Sequence, residues 1–317
     1  MKYLLPLFLL STAFADEICD ASDEPPFTYE TPAPAPEPVS TEPSHSLWDY
    51  HPIHVGGNFI TLSPANVTIQ DGPESGTLRF NKANAFLYML LPISAQSYFF
   101  PRVEWNTFAL DWDKNPKFRE SRFYYMQFAL TFYTTAIEQW RWILRANYNL
   151  DLKHMQSPKK YGLFEALLWG AYQPHRKWHV HVGAFGYTGM RGQQVYPIIG
   201  ADYSPDKEWT FLAIFPIDYA VQYKLNKEWR FSAKIRPLKE RFRAGRQQPQ
   251  PRSVFSYSST GAELNVHYEK FMRFELEAFG GYNFGGKFYI KDSHGHNAMY
   301  TTVDGSIYGG ITADYAF

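Results

Sequence analysis

The sequence contains one cysteine, Cys19, so an intrachain disulfide scaffold is excluded. It carries no net charge, 31 Lys and Arg against 31 Asp and Glu, which does not favour a nucleic-acid binder. Past Phe14 no apolar run reaches the length of a transmembrane helix. The longest, Phe86 to Ile93, is interrupted by Pro92. There is no phosphate-binding glycine motif; Gly280-Gly281 and Gly285-Gly286 suit strand bends and close backbone packing. What is abundant is aromatic: 26 Phe, 23 Tyr and 9 Trp, 18% of 317 residues. With 45% hydrophobic residues the chain is not disordered overall.

The N-terminus reads as an address. Lys2 precedes an almost wholly apolar stretch, Tyr3 to Phe14, and Ala13-Phe14-Ala15 has the small-x-small form of a signal-peptidase site. Residues 1–15 are therefore expected to be a cleaved signal peptide. Asp16-Glu17-Ile18 before Cys19 lacks the small residues of a lipoprotein signal. Residues 16–50 hold nine acids, seven prolines and no Lys or Arg, which predicts an extended, disordered acidic tail. Removing Lys2 and those acids leaves 30 basic and 22 acidic side chains in residues 51–317, a net of +8.

From about residue 98 the pattern alternates with period two. In 138–152, Trp140, Trp142, Leu144, Ala146, Tyr148, Leu150 and Leu152 share one face. Gln139, Arg141, Arg145, Asn147, Asn149 and Asp151 share the other. Residues 228–236, 260–268 and 273–284 repeat this, and a helix would mix the two sets. An exported, aromatic, alternating chain predicts an all-β fold: a transmembrane antiparallel up-and-down β-barrel over residues 98–317. About 12 strands are expected. Segments 54–62 and 84–91, within a lead-in over 51–97, would raise the count to 14. Short turns, expected to be periplasmic, alternate with longer connections at 285–304, 237–253, 190–193, 153–160 and 111–120. Pro216-Ile217 is tight although it falls on the long-loop side.

Trp140, Trp178, Trp209 and Trp229 each follow a short turn, which predicts an interfacial girdle. Lys207-Glu208-Trp209-Thr210-Phe211 and Lys227-Glu228-Trp229-Arg230-Phe231 are near copies one hairpin apart. At the C-terminus Ile307, Gly309, Ile311, Ala313, Tyr315 and Phe317 alternate. Tyr315-Ala316-Phe317 resembles the terminal aromatic-x-Phe signal of outer-membrane barrels, with Thr312 where a Gly is usual. Val195 to Tyr203, with Trp209 and Phe215-Pro216-Ile217, is similar to uncharacterised barrel domains of Gram-negative outer membranes. The resemblance, over about residues 77–317, implies the fold, the outer membrane and contact with the barrel-assembly machinery, but no reaction.

The inward face is expected to include Arg141, Arg145, Asp151, Lys224, Arg230, Lys234, Arg236, Glu263, His267, Glu275 and Glu277. Basic residues gather on 224–236 and acids on 263–277, so the clusters either pair across a narrow lumen or select ions in a wide one. Lys239, Arg241, Arg243, Arg246 and Arg252 are expected in an outer loop, as a basic patch for lipopolysaccharide phosphates or for attracting anions. His179 and His181, with His175, form a weak metal pattern, as do His294 and His296 with Asp292. Ser253, Ser256, Ser258 and His267 are the thin basis for a lipid hydrolase. No cofactor, metal or nucleic-acid partner is expected, and no enzymatic activity. The expected function is a porin-like channel for small solutes with mild anion preference. The alternative is a closed structural barrel whose loops bind a partner or lipopolysaccharide. A lipid hydrolase comes third.

Overall fold

The computed structural model describes residues 52–69, 75–113, 119–190, 192–270, 273–292, 294 and 299–317. The expected signal peptide and acidic tail lie outside them. The described chain forms one closed, antiparallel, up-and-down barrel of 14 strands. They are β1 (Ile53–Ile69), β2 (Ser75–Met89, continued by Leu91–Ser94), β3 (Ser97–Trp112), β4 (Arg122–Thr134) and β5 (Trp140–Asp151). Next come β6 (Leu163–His175), β7 (Trp178–Gly189), β8 (Gly192–Tyr203), β9 (Trp209–Phe215) and β10 (Asp218–Lys224). The last four are β11 (Trp229–Arg243), β12 (Val254–Lys270), β13 (Phe274–Lys291) and β14 (Met299–Val303, continued by Ser306–Ala316). The count of 12 is thus corrected to 14, and the lead-in supplies two full strands of the wall. Their alternation is masked in sequence by Ala and Gly facing outward. β1 closes the ring on β14, from His54 opposite Ala316 to Leu62 opposite Tyr308.

Alternation decides what each face meets. Phe59, Leu87, Val103, Trp105, Phe128, Leu130, Leu144, Leu168, Val182, Ile199, Phe211, Phe231, Leu264 and Ile311 are exposed on the outer wall, an apolar belt of the kind that lipid covers. At the end with the short turns, each predicted girdle Trp lies against a tyrosine on the next strand. Trp140 meets Tyr172, Trp178 Tyr203, Trp209 Tyr223 and Trp229 Tyr268, with ring centroids 4.4–5.0 Å apart. The near-copy sequences share one turn: Asp206 accepts hydrogen bonds from the Glu208 and Trp209 amides, and Asn226 accepts from those of Glu228 and Trp229.

Two expected loops are strand instead. β13 runs to Lys291 and β14 begins at Met299, so the 285–304 loop is mostly ladder. Gly285 permits this, because its positive φ of 87° bends β13 where a side chain would strike the Val303 carbonyl. The expected 237–253 loop is likewise wrong. β11 pairs with β12 up to Arg243 opposite Val254. Its charges disguise a strict alternation, Leu238, Glu240 and Phe242 against Lys239, Arg241 and Arg243.

Candidate functional site: a hairpin inside the lumen

β9 and β10 have seven residues each, joined by the tight turn at Pro216-Ile217. Their ladders stop early: β8 pairs with β9 only from Ile199 to Tyr203, and β10 pairs with β11 only up to Ala220 opposite Lys234. Beyond Lys234, β11 therefore has no wall neighbour on that side, while it stays paired with β12. The upper half of β11 turns inward across the lumen from this free edge, while β12 stays laddered to β13 up to Val254 opposite Lys291. Phe242 packs against Phe108, Phe123 and Tyr125 of β3 and β4, with centroids at 5.0, 4.9 and 6.2 Å. Phe255 joins Phe123 and Phe288 at 5.2 and 5.6 Å. Residues 236–238 and 240–245 are buried on both faces of the strand, as a wall strand would not be. This hairpin forms an apolar core inside the loop end of the barrel, with Leu238, Phe242, Phe255, Ile198, Ile214 and Ile217 among its members.

Polar contacts fix the hairpin from both sides. Lys82 Nζ on β2 donates to Glu240 Oε1 at 3.2 Å. On the opposite face Arg241 Nη2 donates to the Met190 carbonyl at 2.6 Å and Arg243 Nη1 to that of Lys160 at 2.5 Å. Gly192 leaves room for the Arg241 guanidinium. At the tip, Glu120 Oε2 accepts from the Gly245 amide, and Gln248 Oε1 accepts from the amides of Arg119 and Glu120. The three loops so joined expose Arg119, Arg122, Lys153, Lys159, Lys160 and Arg246 on the rim, with Arg252 half-buried.

Below the hairpin the lumen is polar and ion-paired. Arg236 binds Glu263 through two bonds of 2.6 Å, and Tyr308 donates to the same carboxylate at 2.9 Å. Lys234 lies 3.5 Å from Glu277, and Arg102 2.7 Å from Glu104. The eleven residues expected to face inward all lie on inward positions. Arg145, Asp151, Lys234, Arg236, Glu263, His267 and Glu277 are buried; Arg141, Lys224, Arg230 and Glu275 are half-buried near the short-turn mouth. The basic 224–236 and acidic 263–277 clusters pair along the wall, Arg236 with Glu263 on the neighbouring β12 and Lys234 with Glu277 one strand further, on β13. Buried cations Lys82, Arg102, Arg145, Lys234, Arg236, Arg241 and Arg243 equal in number the buried acids Glu104, Asp151, Glu165, Asp218, Glu240, Glu263 and Glu277. The buried lumen is thus balanced, where the sequence suggested a basic surplus.

The expected outer-loop patch is divided. Arg246 and Arg252 are in the loop, but Lys239, Arg241 and Arg243 sit on β11, with Arg241 and Arg243 deep in the lumen. His179 and His181 share one partner: their Nδ1 and Nε2 lie 2.6 and 2.9 Å from the two oxygens of Asp202. Trp169 Nε1 donates to His181 Nδ1 at 3.0 Å, fixing its other nitrogen as the donor. His175 stands apart, exposed at the turn, and among the described residues no metal-holding cluster forms. His296 lies outside them. Ser256 and His267 are on one strand, 11 residues and so about 36 Å apart, and do not meet. Lys82, Glu104, Gln127, Glu165 and Glu240 were missed. Lys82 fell in the lead-in and Glu240 in the supposed loop.

No family model matches the chain. It is similar to an uncharacterized protein of Chlamydia pneumoniae, 24% identical over 198 residues, 62% of each chain. It is also similar to one of Chlamydia trachomatis serovar D, 20% identical over 257 residues, 76% of this chain and 80% of that one. The match spans less than two thirds of the C. pneumoniae protein. Among solved structures it is similar to the COG4313 outer membrane channel of Pseudomonas putida F1, at 9% identity, 87% and 100% coverage and a TM-score of 0.48. A Pseudomonas aeruginosa FadL homologue aligns at 10% identity, 84% and 90% coverage and a TM-score of 0.38.

Proposed function

We propose that the protein is a non-enzymatic outer-membrane channel for small solutes, closed in this conformation by its own β11–β12 hairpin. The observation that carries the reading is that β11, without a neighbour on one side beyond Lys234, turns inward over the lumen, while β12 stays laddered to β13. Across the lumen, β11 and the tip are held by side chains and loop amides, which can be exchanged for water. Turning the free edge of β11 back toward the wall, with β12 still laddered to β13, joins the polar lower lumen to the loop end. The apolar belt and the Trp–Tyr girdle support a membrane setting, with the short turns periplasmic and the loops outside. Residues 1–15 would direct export, and Tyr315 and Phe317 would address the assembly machinery.

Mild anion preference belongs to the same proposal. The buried lumen is neutral, so the bias would come from the exposed rim cations and from the Lys239–Arg241–Arg243 face of the hairpin. The test is current through the refolded mature protein in a planar bilayer under a salt gradient. Discrete steps reversing on the anion side, and shifting toward cations in Arg230→Glu, are expected. A silent bilayer from barrels of confirmed heat-modifiable folding, even with the hairpin excised, removes the channel. One observation favours the second reading, a closed barrel binding lipopolysaccharide phosphates: six exposed cations crown the joined loops.

A further inference from the structure

The tip of the β11–β12 hairpin is bound to the β3–β4 and β5–β6 loops, yet all three carry the same sign of charge. The described stretches 119–122, 151–161 and 243–253 hold eight Lys and Arg against two acids, Glu120 and Asp151, a net of +6. Both acids are already engaged. Asp151 lies 3.0 Å from His154 and accepts from the Lys153 amide. Glu120 accepts from Lys153 Nζ at 2.9 Å and from the Gly245 amide at 3.1 Å. Arg119, Arg122, Lys159 and Lys160 are exposed, and among the described residues none has a carboxylate within ion-pair distance.

The surplus is split across the joint between tip and loops. Residues 244–253 of the tip hold Arg246 and Arg252 and no acid. What ties the tip down leaves these charges unmatched: Gln248 Oε1 accepts the amides of Arg119 and Glu120, and Arg246 Nη2 lies 3.5 Å from Ser157 Oγ. Like charges repel within a Debye length, about 8 Å at physiological salt. Closing the hairpin therefore costs free energy that an anion lying across the joint returns. One anionic group reaches one side; a bridge needs two or more on a single carrier. Guanidinium forks and ammonium groups match phosphate oxygens. The loop end stands beyond the apolar belt, at the level of lipid headgroups. We infer that this rim binds a lipid bearing two or more phosphates, and that the bound lipid holds the hairpin closed. It spans the joint only while tip and loops touch, so it binds the closed barrel more tightly and shifts the barrel toward it. The site rests on the phosphate chemistry of the second reading above, and control of current through it rests on the channel reading; the response of the hairpin does not need a current.

The tip-to-loop distance is the readout. The mature barrel with Cys19→Ser carries nitroxides on Gln156→Cys and Gln247→Cys, both exposed positions, for double electron–electron resonance. Phosphatidylcholine nanodiscs are compared with and without diphosphoryl lipid A. Lipid A should raise the ratio of short to long distances at least fivefold, and dephosphorylated lipid A should not. Arg246→Gln with Arg252→Gln, and separately Arg119→Gln with Lys159→Gln, should remove the response in barrels of unchanged heat-modifiable mobility. Salt should act with opposite signs: it screens the repulsion and raises the closed fraction without lipid A, and it weakens the bridge and lowers that fraction with lipid A. A fully closed distribution without lipid A, an equal response to dephosphorylated lipid A or to soluble tripolyphosphate, or a response kept in both variants overturns the inference. Lipid A retained by the barrel with no change in distance leaves the phosphate site standing and overturns its hold on the hairpin. A distance response in a barrel that never conducts supports that hold and removes the channel.

Discussion

Lys82 Nζ and Glu240 Oε1 are 3.2 Å apart, although the residues are 158 positions apart in sequence and sit on strands that are not neighbours in the sheet. Both are almost wholly buried. A pair between β2 and β11 exists only because β11 leaves the wall, so it serves as a latch on the hairpin. Removing one partner of a buried pair costs about 3–5 kcal/mol, because the other charge stays buried alone. Lys82→Met is expected to raise the frequency of current steps in a planar bilayer at least tenfold. A folded variant as quiet as the parent would show that this pair does not hold the hairpin.

Apolar contact should matter as much. Truncating a buried phenylalanine costs about 3–5 kcal/mol, and Phe242 is the ring on which the contacts with Phe108, Phe123 and Phe255 converge. Phe242→Ala should make the tip accessible, so that a trypsin site at Arg243 or Arg246 is cut faster while the barrel stays intact. Replacing residues 240–257 by Asn-Gly joins Lys239 to Ser258, which are already opposite each other, through a favoured two-residue turn. That variant should carry a large, ungated current.

The Arg236–Glu263 pair joins β11 to β12 at the base of the hairpin. Arg236→Met should lower the urea midpoint of folding in vesicles, by about 3–5 kcal/mol of stability. Arg236→Met with Glu263→Gln should recover part of the loss, since the amide carries no charge and Tyr308 can still donate to it. An additive double variant would mean that the two side chains are not energetically coupled.

Phe317 is 61% exposed and touches Tyr315 edge-on at 4.8 Å. Little is buried there, so deleting Phe317 should leave refolding in detergent unchanged while sharply lowering the amount assembled in the outer membrane of living cells. Equal loss in both assays would make the residue structural and refute its role as a signal.

Much of the wall was legible because a strand reports its faces locally. Trp140 to Leu152 and Trp229 to Arg236 alternate without needing any distant residue to explain them, and the lumen set followed from parity. The girdle tryptophans were visible from their distance to a turn. Their tyrosine partners were not, since cross-strand register joins residues such as Trp140 and Tyr172 from different strands. β1 and β2 were undervalued because Gly56, Gly57, Ala83 and Ala85 dilute the alternation.

Sequence alone determined that there is a barrel: period-two patterning and short turns specify antiparallel strands, which must close to limit unpaired edges, whereas the count of fourteen came from the structure. Tertiary structure alone decided what fills it. Leu238 to Arg243 alternate as a wall strand would, and nothing in that pattern says which environment each face meets. The shortness of β9 and β10 frees β11 from a neighbour, and contacts with β2–β4 and β5–β8, distant in sequence, turn it inward. Burial of Phe242 and pairing of Glu240 depend on those partners, which are brought together only once the barrel has closed around them.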